Sequence, residues 1–240
     1  METAIKENKG KKQKKELKER GSEYFWLAMY AFGGLGIEVL YAFWLEPMIY
    51  GHEMNQFTTS QSLLHWTVTC ITWLIVIFLI LRYAKNKLDF DIRNNQGRVK
   101  PIGWIVSILV ILFITIINCV DTGTVQNLKI VREFGNLGPL KFVFQHLYYL
   151  VEIGLVTLIL VFGQIAMEKW FKKIAGSKEN IPYGGIVVGL TWGLVHWLTK
   201  SSWLMGVEGL ALGFLFGSIY LLLSRDIRKT YVVLAIAFIL

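Results

Sequence analysis

Hydrophobic and polar positions alternate along this chain in blocks, not residue by residue. Long apolar runs are separated by short stretches of charge, proline and glycine. A helix needs about 20 apolar residues to cross the hydrocarbon core of a bilayer. Tyr24–Leu45, Ser60–Leu81, Pro101–Val120, Phe142–Met167 and Trp203–Leu223 reach that length, and Tyr183–Thr199 lies at its lower end. The last run, Tyr231–Leu240, is too short to span reliably. The pattern predicts an all-α, polytopic transmembrane helical bundle of six spans plus a short C-terminal segment. Residues 1–23 form a basic tail before a single helical domain, 24–240. The first run is too long for a signal h-region and has no small-x-small cleavage site, so it reads as a retained span.

Composition supports this class. The chain is 54% hydrophobic and only 18% charged, a balance that fits lipid as solvent better than water. Cys70 and Cys119 both fall inside apolar runs with no CxxC spacing. They read as small buried hydrophobes, not as a disulfide or a metal pair.

Charge adds an orientation. Counted along the chain, the tail holds eight Lys or Arg and the following connections hold none, six, three, four, one and three. High and low counts alternate at every crossing, which predicts a cytoplasmic N-terminus in a multi-pass cell-membrane protein. The tail includes Lys11, Lys12, Lys14 and Lys15, but also Glu2, Glu7, Glu16 and Glu19. It has no aromatic residue before Tyr24, so it reads as a segment facing anionic lipid headgroups and not as a nucleic-acid arm.

Two consecutive runs carry glycine every fourth residue: Gly185, Gly189 and Gly193, then Gly209, Gly213 and Gly217. Small residues at that spacing let helix backbones approach closely, so these two helices are expected to pack on each other or on a shared third.

Polar residues inside the runs are the candidates for chemistry, because intramembrane ionisable groups are costly. His196 lies three residues after Gly193 and shares its face. Gln145, Tyr149 and Glu152 form one stripe of the fourth run. Thirteen residues separate Tyr183 from His196, or roughly 20 Å of helix, and sixteen separate Glu152 from Glu168, roughly 24 Å. Glu152 and His196 thus fall at one depth, in the outer half. Glu208, His146 and His65 fall near enough to join that layer. An imidazole and a carboxylate at one depth can ligate zinc, relay protons or hold helices together. For His65 and Glu38, near the outer surface, helix-holding is the reading. Tyr183, Trp192, Trp197 and Trp203 read as an interfacial belt. No phosphate loop, HExxH or serine elbow is present.

The stretch from Gly163 to Leu223 resembles the CAAX protease and bacteriocin-processing (CPBP) family of intramembrane endopeptidases. Three motifs carry the likeness. Met167-Glu168-Lys169-Trp170-Phe171-Lys172 stands where that family has paired glutamates followed by an arginine. Trp192-Gly193-Leu194-Val195-His196 stands for its aromatic-xxx-His motif, and Leu212–Tyr220 for its glycine-rich helix. The resemblance implies a CPBP-like core over about 142–240 that cleaves membrane-associated peptides or protein tails. His196 would bind one divalent metal, zinc, or polarise water, and Glu152 or Glu168 would be ligand or general base. Glu208 and His146 are further candidate ligands. Two other functions stay open: a catalytically inactive CPBP-like scaffold that binds or protects a membrane peptide, as an immunity protein would, and a small transporter with Glu152 as proton relay.

Overall fold

The computed structural model describes residues 2–93, 98–171, 180–200 and 203–240. It is helical throughout, with no strand among the described residues. The helices are α1 (Glu2–Leu40), α2 (Glu46–Tyr50), α3 (Thr59–Leu88), α4 (Pro101–Thr122), α5 (Gln126–Arg132), α6 (Pro139–Phe171), α7 (Tyr183–Val188), α8 (Leu194–Lys200), α9 (Trp203–Leu222) and α10 (Ile227–Ile239). Among the described residues, five helical passages are long and apolar enough to cross a membrane: Arg20–Tyr50, Thr59–Leu88, Pro101–Val120, Pro139–Phe171 and Trp203–Leu222.

Two expectations change. The Tyr183–Thr199 run does not form one α-helical span; it is α7 and α8 joined by a π turn, Gly189–Gly193. The first run does not end at Leu45. A π turn at Tyr41–Leu45 carries the helix on into α2, which Gly51 stops in a left-handed conformation (φ 76°). Glu46, expected in a polar connection, is therefore helical and buried.

Helix α6 is the centre of the molecule. Every residue from Leu155 to Gln164 is buried, because this helix is apolar all round and packs against α1, α3, α7 and α10. The outer helices bury one face and turn the other outward. On α4, Ile105, Ile108, Leu109, Leu112, Phe113 and Ile116 are all exposed, a stripe apolar enough to lie against lipid.

The expected glycine contact forms. Gly185 meets Gly217, and Gly193 meets Gly209: a methyl added to Gly193 would stand 2.6 Å from the Gly209 carbonyl carbon, and one on Gly213 2.8 Å from the Gly189 Cα. Eight residues separate Gly185 from Gly193. In a regular α-helix they would sit about 80° apart. A π turn takes up about one extra residue, so the step behaves as two whole turns and both glycines face α9. The same arithmetic applies to Glu38 and Glu46, which flank the other π turn and also come onto one face.

Candidate functional site

One cavity of about 800 Å³ lies at the end of the bundle away from the N-terminal tail. Its walls come from the far ends of the passages. Glu38 lies near the end of α1, Trp66 near the start of α3 and Asn118 near the end of α4. Gln145, Tyr149 and Glu152, the stripe expected from spacing, all line it from α6. Trp192 and His196 enter from the π turn and α8, and Glu208 from α9.

Trp192 organises the centre. Its indole Nε1–H donates to Glu152 Oε1 at 3.0 Å. His196 Nδ1 lies 2.8 Å from the Trp192 carbonyl oxygen, and the two rings stand 4.4 Å apart between centroids. A carbonyl oxygen only accepts, so Nδ1 carries the proton and Nε2 is the acceptor of the neutral ring. Glu152 and His196 therefore share a cavity and a depth, each through its own bond to Trp192. The sequence placed this tryptophan in an interfacial belt; instead it is buried, 6% exposed, as the link between the two candidates. Its position four residues before His196, hence one turn below it, is the signal that points to this role.

Around this pair, Gln145 Nε2 donates to the Tyr149 hydroxyl at 2.7 Å, and Gln126 Nε2 reaches the same oxygen at 3.1 Å. The Gln126 backbone N–H also donates to the Leu240 carbonyl at 2.8 Å, fixing the end of α10. Gln145 Oε1 is buried without a hydrogen-bond partner among the described residues.

The other sequence candidates lie elsewhere. Glu168 is at the tail end of α6, about 24 Å of helix from Glu152. It takes a hydrogen bond from Gln164 Nε2 at 2.7 Å and pairs with Arg225. Gln164 in turn accepts from Gly184 N–H at 2.7 Å and donates to the Ile181 carbonyl at 2.9 Å. Glu168 thus belongs to a clamp joining α6, α7 and the turn before α10, on the opposite end from His196. Lys172, the candidate counterpart of the family arginine, lies outside the described residues. His146 is not on the cavity wall; it bonds the Phe142 carbonyl through Nδ1 at 2.6 Å and Asn127 through Nε2.

His65 sits behind the cavity, 1% exposed. Its Nδ1 donates to Glu46 Oε2 at 2.7 Å, and its Nε2 is 3.8 Å from Glu38 Oε1. Sequence reasoning named His65 and Glu38 as helix-holding but missed Glu46, because the π turn that brings it back leaves no mark in the hydropathy pattern.

A zinc site needs about three protein ligands in tetrahedral geometry. Among the described residues no group of three or more His, Cys, Asp or Glu side chains is placed to hold a metal ion. Glu152, His196 and Glu208 line the same cavity.

No protein-family model, no curated protein and no solved structure matches this chain. What stands on the molecule itself is a helical chain with, among the described residues, five helices apolar enough for a bilayer and a carboxylate-lined cavity at one end.

Proposed function

We propose that this is a membrane-embedded binding protein that takes a basic side chain of a membrane-associated peptide into its cavity. The observation that carries this reading is the cavity lining. Three carboxylates, Glu38, Glu152 and Glu208, face one space with Trp192, Tyr148 and Tyr149. The lysine on the rim, Lys141, is held by Glu133, 3.1 Å from its carboxylate and 2.9 Å from its carbonyl. Screening is weak away from bulk water, so these carboxylates favour a cation and repel an anion. The aromatic rings add cation–π attraction. A volume of about 800 Å³ suits a long side chain with its flanking backbone.

The test is direct binding to the full chain in nanodiscs. A capped, leucine-rich peptide with one central arginine should bind. The same peptide with glutamine in that place should bind about tenfold more weakly, the difference of one charged hydrogen-bonded contact. Equal affinity for the two peptides overturns the reading.

The endopeptidase reading is favoured by one observation, that Glu152 and His196 share this cavity. Metal analysis of the purified protein separates the two. A stoichiometric zinc that disappears in His196→Ala would replace the binding-only reading with the hydrolytic one.

A further inference from the structure

We propose that His65, clamped between Glu46 and Glu38, is a proton-binding site that works against cation binding in the cavity. The inference rests on the cationic-peptide reading above.

The geometry of the clamp is unusual. His65 Nδ1 donates to Glu46 at 2.7 Å. In the neutral ring, Nε2 would then present a lone pair to the Glu38 carboxylate 3.8 Å away, acceptor facing acceptor. Nε2 is buried and has no hydrogen-bond partner among the described residues; Thr69 Oγ1, one turn along α3 and also 1% exposed, is likewise buried without one there. A proton on Nε2 resolves the conflict: the imidazolium donates to Glu46 from one side and toward Glu38 from the other.

Glu38 belongs to both systems. It is the partner of His65 and a wall residue of the cavity. The charged and titratable groups around the clamp are Glu38 from α1, Tyr41 in the π turn, Glu46 just beyond it, Cys70 on α3, and Tyr148 and Glu152 from α6. Tyr41 is occupied with Thr72 Oγ1 at 3.1 Å. Tyr148 faces Glu38 from the cavity side. None of these supplies a cation, so the charge on His65 decides how much of the Glu38 carboxylate is available to a ligand. With the ring protonated, Glu38 is neutralised from behind. With the ring neutral, the cavity is one charge more negative. Affinity for a cation therefore rises with pH, and by reciprocity a bound cation makes His65 give up its proton more easily.

The experiment uses the arginine peptide, whose charge does not change with pH, and the full chain in nanodiscs. Between pH 6 and pH 8 the wild-type affinity should rise about fivefold or more, and in His65→Gln that rise should vanish. Binding that is independent of pH in the wild type overturns the proposal and leaves the cationic-peptide reading intact. A rise that persists in His65→Gln also overturns it, assigning the effect to the cavity carboxylates themselves. Absence of peptide binding at every pH overturns the underlying reading. If His65→Gln is not monodisperse, the His65 ring signal of the wild type, one of four histidines, is followed by NMR. The peptide must move its titration to lower pH, and an unmoved titration overturns the proposal.

Discussion

At the scale of single residues, Trp192 is the position on which the cavity turns. Its indole holds Glu152, and its carbonyl holds His196. Trp192→Phe keeps the ring and deletes the N–H. A hydrogen bond to a charged group contributes about 1.5–3 kcal/mol, so the midpoint of thermal unfolding in detergent should fall. Glu152→Gln is a different change, because the amide oxygen still accepts from the indole. It should fold like the wild type and bind the arginine peptide about tenfold more weakly; equal binding would remove Glu152 from the recognition surface. Glu168→Gln should do the reverse. It weakens the pairing with Arg225 by about 1–3 kcal/mol in a thermal-unfolding measurement and leaves peptide affinity unchanged. Sequence spacing found Glu152 and His196 because a depth count along two helices needs only the rise per residue. The same count set Glu168 at the far end of its helix, but it could not supply the partner, Arg225, which comes from a turn 57 residues away.

Among the helices, the glycine face makes a sharper statement than the apolar faces do. Contacts between lipid-exposed leucines are replaceable by lipid, whereas backbone contact is not. Gly193→Leu or Gly213→Val forces α9 away from the α7–α8 segment. Overpacking costs about 1–3 kcal/mol, and here it also displaces His196 and Glu208, which line the cavity from the two segments. The expected result is a lower unfolding midpoint together with weaker peptide binding. Gly33→Ala, off the cavity wall and where an added methyl meets nothing within 4 Å, should leave both unchanged. The glycine pairing was legible because a four-residue repeat is a local pattern. The two π turns were not: each is a one-residue change of register that composition and hydropathy do not encode. One brings Glu38 and Glu46 onto one face, the other Gly185 and Gly193.

For the whole molecule, orientation in the bilayer is the testable property. The charge alternation predicts that the α2–α3 connection faces outward and the α3–α4 connection inward. In a background of Cys70→Ser and Cys119→Ser, Glu53→Cys should react with a membrane-impermeant maleimide on intact cells, and Asp91→Cys only after permeabilisation. The opposite labelling would invert the topology and put the cavity on the cytoplasmic side. The cavity lies at the end of the bundle away from the tail, so the same experiment reports which compartment a ligand approaches from.

Composition, block length and residue spacing were enough to specify a membrane-type helical chain, its glycine seam and the candidate pair Glu152 and His196 that line one cavity. Each depends only on residues near one another along the helix and on a solvent that must cover apolar surface. Tertiary structure alone decided that Trp192 stands between those two groups, that Glu168 belongs to a clamp at the far end, and that Glu46 returns to meet His65. These outcomes depend on which helix faces which and on two single-residue shifts of register, and no local pattern of hydrophobic and polar positions carries that information.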